Sequence, residues 1–201
     1  MADNDAFVRE LHHRVKNNFQ IIASLINLQK RMLPADRRGE ARFVEEHVQS
    51  MAAAYRIVSV TDGTVQVALD DLVSEVVDAL RHIAGLGRDV VNVEVSAGHC
   101  FLRIDQAVAM GLYLAVVVPP YLDAAAPPGC VLHILVSRED PECVVLSIAA
   151  PGGQAIEADA LRQRLTTAYL RQLNAEADPN VEPGIARVRI RLQPLPAAHL
   201  A

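Results

Sequence analysis

Lysine is nearly absent from this chain: of its 19 basic residues only Lys16 and Lys30 are lysines. The net charge is −5, and no basic stripe stands out, which argues against nucleic acid as a general partner. No apolar run reaches the roughly 18 residues that span a bilayer. The opening MADNDAFVRE has no apolar signal core, so the expectation is a cytoplasmic protein with no membrane partner. Cysteine is scarce too. Cys100, Cys130 and Cys143 are odd in number and lack short metal-ligand spacing, which excludes a disulfide framework and a zinc site and leaves small buried thiols. Internal repeats and low-complexity tracts are also missing. What remains, with 51% hydrophobic residues over 201 positions, is enough to bury one real core or two small ones.

The N-terminal third is helical by pattern. Apolar residues recur at Val8, Leu11, Val15, Phe19, Ile22, Leu25, Ile26 and Leu33, the three-and-four spacing of one helical stripe. A helix over about Asp5 to Met32 follows, closed by Leu33-Pro34 because proline disfavours helical geometry in the residue before it. At about 100° per residue, His13 falls roughly 170° from the middle of the stripe and His12 about 70° from it. Asn17, Gln20 and Lys16 lie within about 60° of His13 on the same count. An exposed imidazole is thus ringed by amide and cationic groups. A second helix, capped by Asp36 and reaching about Val60, carries Val44, His47, Val48, Met51, Ala54, Tyr55 and Val58 on a bundle seam. Two such helices form an antiparallel hairpin that cannot enclose its own apolar faces. Pairing with a second copy into a four-helix bundle is the simplest solution. His47 on that seam reads as a core or interface residue.

The run ELHHRVKNNFQIIASLINLQ resembles the phosphoacceptor helix of sensor histidine kinases of the H-R-V-K-N group (HisKA_2 or HWE-like). In that family the histidine before the arginine is phosphorylated, which maps onto His13. Arg14, Lys16 and Asn17 then become supporting residues, the cations offsetting phosphoryl charge and Asn17 donating a hydrogen bond or orienting a water.

Thr61-Asp62-Gly63 is a turn signal and the expected boundary between residues 1–62 and 63–201. Beyond it the patterns predict a helix over Leu69–Ile83, strands at Val90–Ser96 and Cys100–Ile104, and a helix over Asp105–Val118. Strands at Cys130–Ser137 and Cys143–Ala149, a helix at Ala158–Asn174 and a last strand at Ala186–Leu192 follow. The fold class is therefore α+β, a helical hairpin followed by a two-layer α/β sandwich with helices on one face of a mixed sheet. The order of elements from 65 to 193 resembles the ATP-binding domain of the same kinases, in a degenerate form. Their metal-binding helix offers Asn-Glu and a second Asn one turn on, where this chain has Ala115, Val116 and Pro120. Pro119-Pro120 is also expected to end that helix. Ala149 or Ala150 replaces the aspartate that receives the adenine amino group. Residues 160–175 have no glycine where a phosphate lid would be, and Gly152-Gly153 reads as a turn.

The resemblance implies a phosphoacceptor retained and a nucleotide site lost. The expected role is a histidine phosphotransferase of the ChpT type, carrying phosphate on His13 between the aspartates of response-regulator receiver domains as a homodimer. It would use no cofactor of its own, with Mg²⁺ supplied by the receiver. The alternatives are an active histidine kinase with a divergent ATP site and a non-catalytic dimeric regulatory module derived from one.

Overall fold

The structure, a computed structural model, describes residues 2–34, 37–61, 64–125, 131–150, 156 and 159–195, with side chains from residue 15 onward except those of 16, 38 and 61. Asp36, Asp62-Gly63, Cys130 and Gly152-Gly153 lie outside the described residues.

Helix α1 spans Ala2–Met32 and α2 spans Arg38–Arg56, the expected hairpin. The residue at the N-cap of α2 is Arg37, and no side chain caps it. The helix also stops four residues short of Val60. Val58-Ser59-Val60-Thr61 leave it because this β-branched run pairs better as a strand. β1 (Ser59–Thr61) and β2 (Thr64–Ala68) form an antiparallel ladder with Thr61 opposite Thr64. The division expected at 62 and 63 falls between the two strands of that ladder. An Asp-Gly pair flanked by alternating apolar residues is a hairpin signal, and the expectation of a helix through Val60 passed over it.

Helix α3 covers Leu69–Ile83 as expected, with Leu72, Val73, Val76, Val77 and Leu80 buried. A short 3-10 turn at Arg88–Val90 leads into β3 (Val91–Ser96). The strand expected at Cys100–Ile104 shrinks to β4 (Phe101–Leu102), which pairs with β2. Helix α4 runs over Ile104–Ala125. Pro119 and Pro120 do not end it, contrary to expectation. Proline at 120 removes the N–H that would bond the carbonyl of Val116, and Arg162 Nη1 donates to that oxygen at 2.8 Å instead. By length and composition α4 would also cross a membrane, yet 67% of its apolar 18-residue stretch is buried inside the protein. It is the central core helix.

β5 (Leu132–Asp140), β6 (Cys143–Ala149), α5 (Ala160–Leu173), β7 (Ala175–Ala177) and β8 (Ile185–Arg191) complete the chain. Asp159 caps α5 through the backbone N–H of Arg162, and Asn174 ends it in the left-handed region at φ 53°. The sheet order is β3-β5-β6-β8-β7, parallel only between β3 and β5. Strand alternation sends Leu132, Ile134, Val136, Leu146, Ile148, Val188 and Ile190 inward to one core shared with α3 and α4. Ala53 and Ala54 of α2 belong to the same core.

Candidate functional sites

The α1–α2 register follows from two contacts. Lys30 Nζ meets Glu45 Oε2 at 2.7 Å, and the rings of Phe19 and Tyr55 stack with centroids 5.4 Å apart. Continued in the same register, position 13 of α1 lies past Arg56, where α2 has ended. α2 therefore does not run alongside that segment of α1. The side chains of His13, Arg14 and Lys16 lie outside the described residues, so their placement here is the phase of α1.

The stripe expected on α1 divides in two. Val15, Phe19, Ala23, Ile26 and Leu33 are buried or half-buried, whereas Ile21, Ile22, Leu25, Leu28 and Met32 are exposed, Leu25 by 60% and Met32 by 79%. Ile22 and Leu25 therefore do not belong to the hairpin seam. By helical period, position 13 sits about 125° from the α2 seam and about 110° from the exposed apolar stripe. It shares its wedge with Asn17, Gln20, Ser24, Asn27 and Arg31. Asn17, Gln20, Ser24 and Arg31 are exposed and Asn27 is half-buried. The same count moves His12 to within about 30° of the α2 seam. Positions 12 and 13 thus differ in phase by one residue step on α1.

α2 is buried on more sides than its apolar pattern implied. Val44, expected on the seam, is exposed, while Glu45, Glu46 and Ser50 are buried. Each acid has a cation: Lys30 for Glu45, and Arg42 at 2.8 Å for Glu46. Arg42 also reaches Asp123 of α4 at 3.0 Å. Burial pushes the Glu46 carboxyl above the ordinary range, against the pull of Arg42. His47 gives no sign of a second acceptor. Its Nδ1 lies 2.8 Å from the carbonyl of Phe43, its ring sits 4.3 Å from the Phe43 ring, and burial lowers its pKa.

Three of the positions that the resemblance aligned with a nucleotide site, Ala115, Val116 and Pro120, lie on α4 and the fourth, Ala149, on β6. Val116 and Pro120 line a cleft of about 260 Å³ between α4, α5 and β8, with Tyr113, Leu170, Val188 and Arg162 around them. Ala115 is fully buried beside it. Ala149 ends β6 between His133 and Ile185, and the Ala150 N–H donates to Gly184 O at 2.7 Å. None of Ala115, Val116, Pro120, Ala149 or Ala150 offers a side-chain ligand. Among the described residues no group of three or more His, Cys, Asp or Glu is placed to hold a metal. Arg162, which the sequence reading missed, stands in this cleft. Its only sequence signal is a proline four residues after a carbonyl that must find another donor.

Residues 10–84 match the HisKA_2 family, described as histidine kinase. The family reading is supported. Over 132 residues, 64% of this chain, it is 29% identical to the sensor histidine kinase PdtaS of Mycobacterium tuberculosis. It is likewise 29% identical over 137 residues to PdtaS of Mycolicibacterium smegmatis. The chain spans about a quarter of the length of these relatives, 26% and 27%. Among solved structures, the histidine kinase domain of the blue-light activated histidine kinase EL346 from Erythrobacter litoralis superposes with a TM-score of 0.57 at 20% identity, covering 96% of both chains. The fold is that of a histidine kinase domain, with the hairpin leading into the α/β sandwich.

Proposed function

We propose that this protein is a histidine phosphotransferase of two-component signalling that works without ATP. One contrast carries the reading. By the phase of α1, position 13 falls on the wedge of exposed polar residues Asn17, Gln20, Ser24 and Arg31, while the positions that hold magnesium and phosphate in the resembled domain are Ala115, Val116 and Pro120, the last two lining a largely apolar cleft. A magnesium nucleotide carries several negative charges that need carboxylate and amide partners. The kinase relatives support the two-component setting.

In the transfer, a neutral imidazole nitrogen of His13 forms a P–N bond while the P–O bond of a receiver's aspartyl phosphate breaks and the carboxylate leaves with the electron pair. The reverse step delivers phosphate to a second receiver. Such transfer is in-line and largely dissociative, so positioning and charge stabilisation dominate. The receiver brings Mg²⁺, and Lys16, Arg14 and Asn17 support the phosphoryl group. The docking surface is the polar wedge below position 13. It leads into a cleft of about 730 Å³ lined by Ser24, Asn27 and Arg31 of α1, Glu45 and Gln49 of α2, and His82 of α3. A homodimer would cover the exposed stripe Ile21, Leu25 and Met32, with Leu28 at the border between that stripe and the cleft.

The test supplies a phosphorylated receiver domain and asks whether His13 gains an acid-labile phosphate, lost in His13→Ala. Label taken directly from Mg²⁺-ATP without another protein would instead show a kinase. Partner regulation intact in His13→Ala would show a non-catalytic module.

A further inference from the structure

We infer that the cleft between α4, α5 and β8 binds a small organic acid with an apolar, ring-sized body. Its walls are Val116, Val117, Pro120, Leu170 and Val188, with Tyr113 at the base, and its volume is about 260 Å³. A dry apolar cavity of roughly 150 Å³ is enough to hold benzene, so this one has room for a fused pair of rings.

The charge at the wall selects the head group. Arg162 is held from three sides: Nη1 on the carbonyl of Val116 at 2.8 Å, Nε at 3.5 Å from Asp159, and its guanidinium carbon 5.5 Å from the centroid of the Phe43 ring. Its side chain is only 19% exposed. Across the cleft, Arg187 pairs loosely with Asp178 at 3.8 Å and donates to Ser147 Oγ at 3.2 Å. Among the described residues the charged groups lining the cleft are two arginines and one aspartate, which faces Arg187; the partner of Arg162, Asp159, is not part of the lining and is 63% exposed, so solvent screens it. A guanidinium fixed in advance beside an apolar wall loses little freedom on meeting a carboxylate. It repels a metal ion. The ligand this chemistry takes is an aryl or indolyl carboxylate, not a magnesium nucleotide.

Arg162 also touches the hairpin, because Phe43 belongs to α2. A carboxylate that engages Arg162 is therefore felt on the phosphotransfer hairpin as well as in the cleft.

The full chain, labelled for NMR, is titrated with indole-3-acetate, with its neutral twin indole-3-acetamide, and with Mg²⁺-ATP. The acid is expected to shift the amides of Val117, Leu170 and Val188 together with that of Phe43, and to bind at least ~tenfold more tightly than the amide, the worth of one charge-assisted contact. Arg162→Gln keeps a donor for Val116 and should reduce the acid to the amide's affinity while leaving the amide unchanged. Thr166→Trp, which fills the cleft, should abolish both and covers the case in which Arg162→Gln fails to fold. Equal affinity of acid and amide, an Arg162→Gln variant that binds the acid as before, shifts confined to other surfaces, or no response at millimolar acid would each overturn the assignment. Loading of His13 by a receiver is measured separately, so the two readings fail independently.

Discussion

Two buried or half-buried polar side chains show two different states, one satisfied and one dependent on pH. Gln106 is satisfied. Its Nε2 donates to Leu173 O at 3.2 Å and Arg191 O at 2.7 Å, and its Oε1 accepts from the Gln193 N–H at 3.2 Å. One amide thereby ties the ends of α5 and β8 to α4. Gln106→Leu leaves those backbone groups unpaired and should cost about 1–3 kcal/mol in urea unfolding. His47 shows the pH case. Burial lowers its pKa, so the unfolded chain binds a proton that the folded one resists. The stability this contributes is complete above the ordinary value of 6.5 and declines as pH falls below it toward the folded value. His47→Phe should flatten the fall in melting temperature between about pH 7.5 and about pH 5.5. A slope identical to the parent protein would remove His47 from the account. At Asn17 the expected outcome of an alanine substitution is slower loading of His13 or slower loss of its phosphate. Faster transfer, or no change in either rate, would leave Asn17 as part of a solvated face.

At the scale of elements, the approach of α2 to α4 is set by one missing side chain. A Cβ on Gly111 would lie 2.8 Å from the carbonyl oxygen of Ser50. Alanine is the better helix former by about 1 kcal/mol, but a clash with backbone is not relieved by turning a rotamer, and overpacking of this kind costs about 1–3 kcal/mol. Gly111→Ala should therefore lower stability, and a stabilised variant would show that the helices part without penalty. Arg42 reinforces the same contact by joining Glu46 and Asp123. α4 itself survives two prolines because a guanidinium from α5 takes the carbonyl that Pro120 strands. That rescue is tertiary, so the proline pair misled a reading confined to the helix.

For the molecule as a whole, the decisive feature is that α1 carries more apolar surface than α2 covers. Met32, Leu25, Ile21 and Leu28 are all more than half exposed, and one α-helix cannot pack both of its apolar stripes against a single partner helix. The protein of 21.8 kDa per chain is expected to sediment as a dimer. Leu25→Asp combined with Leu28→Asp should yield a monomer with unchanged helical content. A wild-type monomer at micromolar concentration would refute the bundle.

The helical hairpin and the mixed sheet with helices packed against it were legible in the residues, because hydrophobic periodicity is a local property of a chain. The limits of α2 and α4 were not, nor the burial of Glu45 and Glu46. Each depended on a partner far away in sequence: Gln66 and Val65 drawing Ser59 and Val60 into a strand, Arg162 answering Val116, Lys30 and Arg42 neutralising the glutamates. Sequence alone determined the motif that α1 carries. Only the tertiary structure decided which face of α1 stays open, since that depends on where α2 ends and on which of two apolar stripes it covers.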